Sequence, residues 1–266
     1  DQNRSIPSPK RSCHETRQAN LGVKIILFFD FHVKDDPELV KEADRLGYAG
    51  LALFSNGNGN NSSGNENKVE VASGETINPE NSTKKENPIK TYKGVFISAR
   101  NPESMRQKVK KSRKNADVIM VRGGDQKINR AACEDPQVDI LSAPYLKRRD
   151  CGINHVMAKK AALNEVAVEL NIKYLTKTNS YLHYKVLSHF REIIKLKRKY
   201  GFPLIITSDA ESIYGLHTPQ DLIALSGCFG MDREEAEAAL SKTPQKIIER
   251  SETRDKVVVD GVKIIE

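Results

Sequence analysis

The sequence predicts an α/β fold, a TIM-like (β/α) barrel of about seven parallel strands. Three observations point there. Short apolar runs alternate with stretches of helical periodicity, and repeated βα units imply a parallel sheet. The runs are continuously apolar, as strands buried on both faces are. Polar residues (Asp30, His32, Arg122, Ser142 and Asp209) stand at their C-terminal ends. Such strand ends suit the mouth of a closed barrel, although periodicity alone also fits an open, doubly wound sheet.

The elements follow in order. "VKIILFFDF" reads as the first strand. Asp36 caps a helix with Pro37 at its first position. Leu39, Val40, Ala43 and Leu46 recur at helical spacing, and Gly47 stops that helix. "GLALF" and "GVFISA" are the second and third strands. Asn101-Pro102 opens a basic helix reaching about Asn115. "DVIMVRG" follows, then a short helical piece near Ile128–Cys133, then "VDILSAP". A helix is expected over roughly Ile153–Asn164, with "VAVELNI" after it. A long helix runs from about Tyr181 to Tyr200 and ends at Gly201. "FPLIITSDA" is the last clear strand. Thr218-Pro219 opens a helix ending near Gly227, Asp232 with Glu235 forms a capping-box start, and Thr243-Pro244 begins one more. "KVVVDGVKII" suggests a small hairpin turning at Asp260-Gly261.

These elements divide the 266 residues. Residues 1–23 are polar, basic and aperiodic, and are expected to be a disordered leader. The barrel domain is placed at 24–251. Within it, residues 55–92 are rich in Asn, Gly, Ser and Glu, an insertion unable to bury a core. Residues 252–266 form a C-terminal tail or hairpin.

Bulk properties narrow the function. The formal charge is +8, which favours polyanionic partners, nucleic acid or an anionic membrane surface. No apolar run approaches the ~20 residues of a spanning helix, and the first residues show no apolar signal core. Cys13, Cys133, Cys151 and Cys228 are far apart, with no CxxC pair. That spacing argues against a zinc site or a disulfide framework and fits a reducing cytoplasm. There is no Trp, and aromatics are 6% of the chain, so a single-strand stacking platform is not expected. No G-x-S-x-G, P-loop or G-x-G-x-x-G follows a strand.

"DFHVK" and "SDAES" raise the question of metal. They are similar to the first and last motifs of the polymerase-and-histidinol-phosphatase (PHP) superfamily, D-x-H-x-H and S-D-A-H. Lys34 replaces the second histidine, Glu211 replaces the last, and the middle strand end reads "LSAPY". An ammonium in a ligand set repels a divalent cation, and a two-metal site needs many ligands. Asp30, His32, Asp209 and Glu211 are therefore vestigial metal candidates. The plainer expectation is that Asp30 and Asp209 cap loops and His32 is a hydrogen-bonded core histidine.

The most specific stretch is Ser142–Ile172, "SAPYLKRRDCGINHVMAKKAALNEVAVELNI". With "FFDFHVK" it closely resembles the archaeal family of ribonuclease P protein component 3. The family pattern is met by Arg148, Arg149, Asp150, Gly152, Ile153, His155, Val156, Ala158 and Lys159. The likeness covers most of residues 24–250. It implies a PHP-like barrel without a complete metal set, in a subunit of the ribonucleoprotein that removes the 5′ leader of precursor tRNA. It further implies that the RNA subunit, with Mg2+, is the catalyst, and that this chain binds no cofactor and performs no hydrolysis itself. The implied partners are RNase P RNA, precursor tRNA and other protein components, above all component 2, as a heterotetramer. No membrane contact is expected, and the location is cytoplasmic. The alternative is a PHP-type metal-dependent phosphoesterase; a weaker one is a stand-alone barrel holding an anionic metabolite.

Basic residues are the candidate RNA contacts, because phosphate binding needs cations on a rigid surface. Lys147, Arg148 and Arg149 sit in a loop directly before a helix whose N-terminal dipole also favours phosphate. His155 lies in the first turn of that helix, with Lys159 beyond it. Arg122 and Arg130 flank the preceding strand and short helix, and Arg100 follows the third strand. On the helix from Pro102, Arg106 and Arg113 lie seven apart and are expected to track a backbone together. The Lys195–Lys199 run is read mainly as a solvated helix face.

Overall fold

Seven parallel strands stand side by side in chain order: β1 (Phe29–Lys34), β2 (Gly50–Phe54), β3 (Lys90–Ile97), β4 (Val118–Arg122), β5 (Ile140–Ser142), β6 (Ala167–Asn171) and β7 (Leu204–Thr207). This computed structural model describes residues 26–55, 88–177, 180–254, 257–259 and 262–263. The leader at 1–23, Cys13, most of the 55–92 insertion and the Asp260-Gly261 turn lie outside the described residues. Helices α1 (Pro37–Arg45), α2 (Pro102–Ser112), α3 (Gln126–Glu134), α4 (His155–Leu163), α5 (Lys173–Thr176) and α6 (Ser180–Tyr200) alternate with the strands. Helices α7 (Pro219–Cys228), α8 (Arg233–Leu240) and α9 (Lys242–Arg254) follow β7. A two-stranded antiparallel ladder, β8 (Val257–Val259) with β9 (Val262–Lys263), comes last.

The caps expected from the sequence are made. Asp36 accepts from the Glu38 amide at 3.0 Å and Asn101 from Ser104 at 2.8 Å, and Asp232 and Glu235 form the reciprocal capping box. Two differences have simple causes. β3 starts at Lys90 because it pairs with β2 from Gly50↔Lys90 onward, so residues 90–92, assigned to the insertion, are strand. The single-turn α5 has no apolar periodicity to announce it.

The sheet closes on itself. Val33 bridges Ala210, and the Lys34 amide donates to the Ala210 carbonyl at 2.9 Å. Deeper in the seam a side chain stands in for a ladder: the Asp30 carboxylate accepts from the Ser208 amide at 3.2 and 3.3 Å. Alternation along the strands sorts their side chains. Met120, Ile140, Ala167 and Ile205 pack inside the barrel with Phe29, Phe31 and Phe54. Their neighbours Ile119, Leu141, Val168 and Ile206 pack outward against the helices.

The N-terminal end of the barrel is plugged by α9. Ile247 and Ile248 join the interior cluster. Beside them lies Asp139, fully buried just before β5. Its carboxylate takes Arg113 at 2.5 Å, Arg250 at 3.0 Å, Arg254 at 2.8 Å and the Ile119 amide at 2.8 Å. Arg113 also donates to the carbonyls of Ala116 and Asp117, and Arg250 to those of Pro136, Val138 and Asn164. The expected pairing of Arg113 with Arg106 along an RNA backbone is thus overturned. The Arg113 side chain is 8% exposed and points into the protein, because an isolated buried carboxylate needs a cation more than the surface does.

Replacing Asp139 by Asn leaves three guanidinium groups around a neutral amide. Breaking a buried ion pair from one side costs about 3–5 kcal/mol, and Asp139→Asn is expected to lose that much in urea denaturation at pH 7. A loss below about 1 kcal/mol, the range of exposed pairs, would show that the cluster is solvated.

Candidate functional site: the barrel mouth and the basic loop

At the other end of the barrel the strands present their C-terminal residues. β6 places Glu169 in the centre of the mouth, fully buried. A carboxylate there must be satisfied from all sides. His32 Nδ1 lies 2.6 Å from Oε1, Thr207 Oγ1 donates to Oε1 at 2.6 Å, and Ser142 Oγ donates to Oε2 at 2.5 Å. The partners come from β1, β7 and β5. In β1 the pairing register shifts between Asp30 and Val33, the kind of irregularity that re-aims a side chain. His32 also stacks on Phe96 (5.4 Å between centroids, 28°).

A second layer sits above. His32 Nε2 is 3.5 Å from Asp209 Oδ1. Asp209 Oδ2 accepts from Asn171 Nδ2 at 3.0 Å and pairs with Lys173 Nζ at 3.3 Å, and Lys173 reaches Glu211 at 2.7 Å. Lys34 turns aside to Asp36, 3.8 Å away. Each of the four vestigial candidates therefore has a protein partner. Asp30 takes backbone amides, His32 takes Glu169, and Asp209 and Glu211 take Lys173. Among the described residues no group of three His, Cys, Asp or Glu side chains is disposed to hold a metal ion.

Burial sets the protonation of this layer. It disfavours the His32 cation, yet Glu169, followed by Asp209 and Asp30, holds the imidazole above its usual pKa of 6.5. Burial would raise Glu169, and His32 with the two hydroxyls more than reverses this. Asp30 has weaker help: burial pushes it up to about 6 against its hydrogen bonds from Ser208 and His32.

The basic loop between β5 and α4 is built on another buried polar residue, Asn129 of α3. Its amide donates to the carbonyls of Pro144 at 3.0 Å and Gly152 at 2.9 Å, while Oδ1 accepts from the Gly124 amide at 3.0 Å. Gly152 has φ +76°, and a Cβ there would strike the Pro144 carbonyl, so only glycine fits. Arg148 grips Asp150 through two bonds, at 2.5 and 2.9 Å, and Asp150 accepts the Gly152 amide. Arg148 thus staples the loop, while Lys147 and Arg149 are exposed and have no ion pair among the described residues. Asn154 caps α4 with its own side chain, taking the Val156 and Met157 amides, so those donors are already used. His155 and Lys159, four apart on α4, are exposed.

The remaining predicted contacts scatter. Arg122 is exposed at the end of β4 and lines the mouth, and Arg100 is exposed in the loop after β3. Arg130 and Arg106 both lean on Glu134, at 2.9 and 4.0 Å. Arg122 ends β4, and Arg100, Lys147, Arg149 and Lys173 follow the C-terminal ends of β3, β5 and β6, so all five share one face of the barrel.

The family model for "RNase P subunit p30" matches residues 27–256. The chain belongs to the RNase P subunit p30 family. Ribonuclease P protein component 3 of Methanothermobacter thermautotrophicus is 44% identical over 250 residues, 91% of this chain and 96% of that protein. The Methanococcoides burtonii protein of the same name is 38% identical, covering 86% and 87%. Among solved structures, a chain from the cryo-EM structure of archaeal ribonuclease P with mature tRNA superposes with a TM-score of 0.69 at 31% identity, covering 90% of this chain and 98% of that one. A. niger ochratoxinase, at 12% identity and a TM-score of 0.50 over 84% of this chain and 71% of that one, shares the fold alone.

Sequence reasoning missed the centre of this p30 family mouth. Glu169, Thr207 and Lys173 were not candidates, although "VAVELNI" carries its signal, one carboxylate inside an otherwise apolar strand. The expectation for His32 as a hydrogen-bonded core histidine holds. Asp30 caps backbone amides of His32 and Ser208 as expected and so closes the barrel seam, whereas Asp209 ties Lys173 and Asn171 rather than capping a loop.

The His32–Glu169 pair imposes a pH window on stability. The imidazole pKa is raised on folding, so its contribution is complete below 6.5 and declines as pH rises through the folded value. Glu169 is lowered, so its contribution is lost on acidification. His32→Gln is expected to cost about 3–5 kcal/mol near neutral pH, since it strands a buried carboxylate, and to abolish the alkaline decline in chemical-denaturation stability. An unchanged pH profile in the variant would contradict the pairing.

Proposed function

We propose that this chain is a protein subunit of ribonuclease P, binding and stabilising the catalytic RNA that removes the 5′ leader of precursor tRNA, and that it is not itself the catalyst. One observation carries the proposal: a 31% identical chain, matched along 98% of its length, stands in an archaeal ribonuclease P bound to mature tRNA. The mouth chemistry agrees. Glu169, Asp30, Asp209 and Glu211 meet imidazole, hydroxyl, amide and ammonium groups of the protein, which supports a structural role for these side chains.

In this proposal Mg2+ belongs to the RNA subunit. Component 2 is the principal protein partner, in a heterotetramer with two copies of each chain, and the site of action is the cytoplasm. The RNA-facing residues are Arg100, Arg106, Arg122, Arg130, Lys147, Arg149, His155 and Lys159, with Arg148 holding the loop in shape. The exposed, unpaired cations contribute most, because a guanidinium already held by a carboxylate gains little from a phosphate. Such contacts give sequence-independent affinity that falls with salt.

Reconstitution with RNase P RNA and the remaining protein components tests this. Lys147→Ala with Arg149→Ala is expected to weaken RNA binding across sequences, to reduce the slope of log affinity against log salt by about 2, and to raise the magnesium needed for precursor cleavage. Identical salt and magnesium dependences in variant and wild type would remove the basic loop from the RNA interface. The pure chain is expected to carry no stoichiometric transition metal and to hydrolyse no phosphoester. Bound manganese or zinc with turnover would establish the phosphoesterase instead.

A further inference from the structure

The RNA contacts proposed above leave most of the barrel mouth unused. Above Glu169 it opens as a cavity of about 450 Å³, within the ~300–1,000 Å³ typical of small-molecule pockets. Phe96 and Tyr174 supply aromatic surface, with Phe54 buried beside Phe96, and Arg122, Asn171 and Asp209 supply charge and hydrogen-bonding capacity.

The aromatic rings are fixed in place. Phe54 meets Phe96 edge-on (6.5 Å, 89°), Phe96 rests one face on His32, and Tyr174 meets Tyr145 edge-on (6.0 Å, 88°). Gly94 makes room for this arrangement, since a Cβ there would lie 2.5 Å from the Phe54 ring. Phe96 and Tyr174 are only half-buried, so ring surface is left for a ligand. Charge is placed just as selectively. Lys173 is balanced by Asp209 and Glu211, whereas Arg122 has no ion pair among the described residues. Two non-glycine residues of the lining, Ala143 (φ +42°) and Asp209 (φ +50°), hold left-handed backbone. Strain of that kind gathers where geometry serves binding.

An inorganic anion would use Arg122 and ignore the rings. An apolar metabolite would use the rings and leave Arg122 without a counter-charge. A nucleotide engages both, with a planar base for the rings, base-edge N–H groups for Asp209 and a phosphate for Arg122. We propose that the mouth takes one unstacked nucleotide of the RNA, its base against Phe96 and Tyr174 and its phosphate on Arg122. This rests on the chain being an RNA-binding subunit of ribonuclease P, and gives that subunit a contact with an unpaired residue rather than with helix backbone alone.

The test uses the full chain titrated calorimetrically with 5′-AMP, 5′-UMP, inorganic phosphate and an unstructured RNA hexamer, and the reconstituted complex with RNase P RNA. Two substitutions probe the mouth at exposed positions, Arg122→Ala and Ser55→Trp, the latter placing an indole on the lining; thermal unfolding checks that both fold. Mononucleotide is expected to bind about tenfold more tightly than phosphate, the scale of one base–aromatic stack. The hexamer should bind at least as tightly as mononucleotide, and each substitution should weaken both about tenfold. Mononucleotide binding no tighter than phosphate, or unchanged by both substitutions, overturns the mouth assignment while RNase P RNA is still held by the complex. Mononucleotide binding without hexamer binding makes the mouth a metabolite pocket and also overturns it. A complex that assembles on RNase P RNA equally well without this chain overturns the subunit role and the mouth assignment together.

Discussion

A carboxylate buried in a barrel must be answered by protons and positive charge, and Glu169 organises the mouth through that demand. Its three partners come from three other strands: His32 from β1, Ser142 from β5 and Thr207 from β7. One side chain therefore fixes the relative position of four strands at the end where the (β/α) barrel carries function. The same demand draws the four vestigial candidates into contacts within the protein. His32 is turned to Glu169, and Lys173 lies across Asp209 and Glu211.

The two ends of the barrel spend arginines differently. At the N-terminal end three of them converge on Asp139 and lock α9 over the interior. At the C-terminal end Arg122, Arg149 and Lys147 are left exposed without ionic partners among the described residues. Net charge makes no such distinction. Of +8 on the whole chain, the part relevant to a polyanion is the part not already committed to a carboxylate. Arg148 shows the boundary case: it sits in the most basic stretch of the sequence, yet its guanidinium is held in a bidentate grip by Asp150.

The barrel is legible in the sequence because strand burial and helix capping are local. "VKIILFFDF", "DVIMVRG" and "FPLIITSDA" are apolar over strand lengths, and Asp36, Asn101, Thr218 and Asp232 each announce a helix one residue later. The p30 family membership is legible in Ser142–Ile172. The partner of a charge is not local, and here the sequence is mute. Arg113 finds Asp139 across 26 positions, and His32 finds Glu169 across 137. Seven-residue spacing places Arg106 and Arg113 on one helix side, but α2 ends at Ser112 and Arg113 turns inward past that end. For Glu169 a signal existed in composition, a lone acid in an apolar strand, whereas Lys173 and the aromatic lining of the mouth appear only once strands are neighbours.

The β1–β7 seam sets the mechanics of the whole ring. Elsewhere neighbouring strands share a run of paired residues, but here one bridge, Val33 to Ala210, and the Asp30 carboxylate on Ser208 do the joining. With α9 bracing the far end, the barrel resembles a sprung collar, stiff at its base and clasped near its lip. β1 and β7 meet there through one backbone bridge, the Asp30 carboxylate, and His32 and Thr207 on Glu169, and they share fewer contacts than any other neighbouring pair of strands in the barrel.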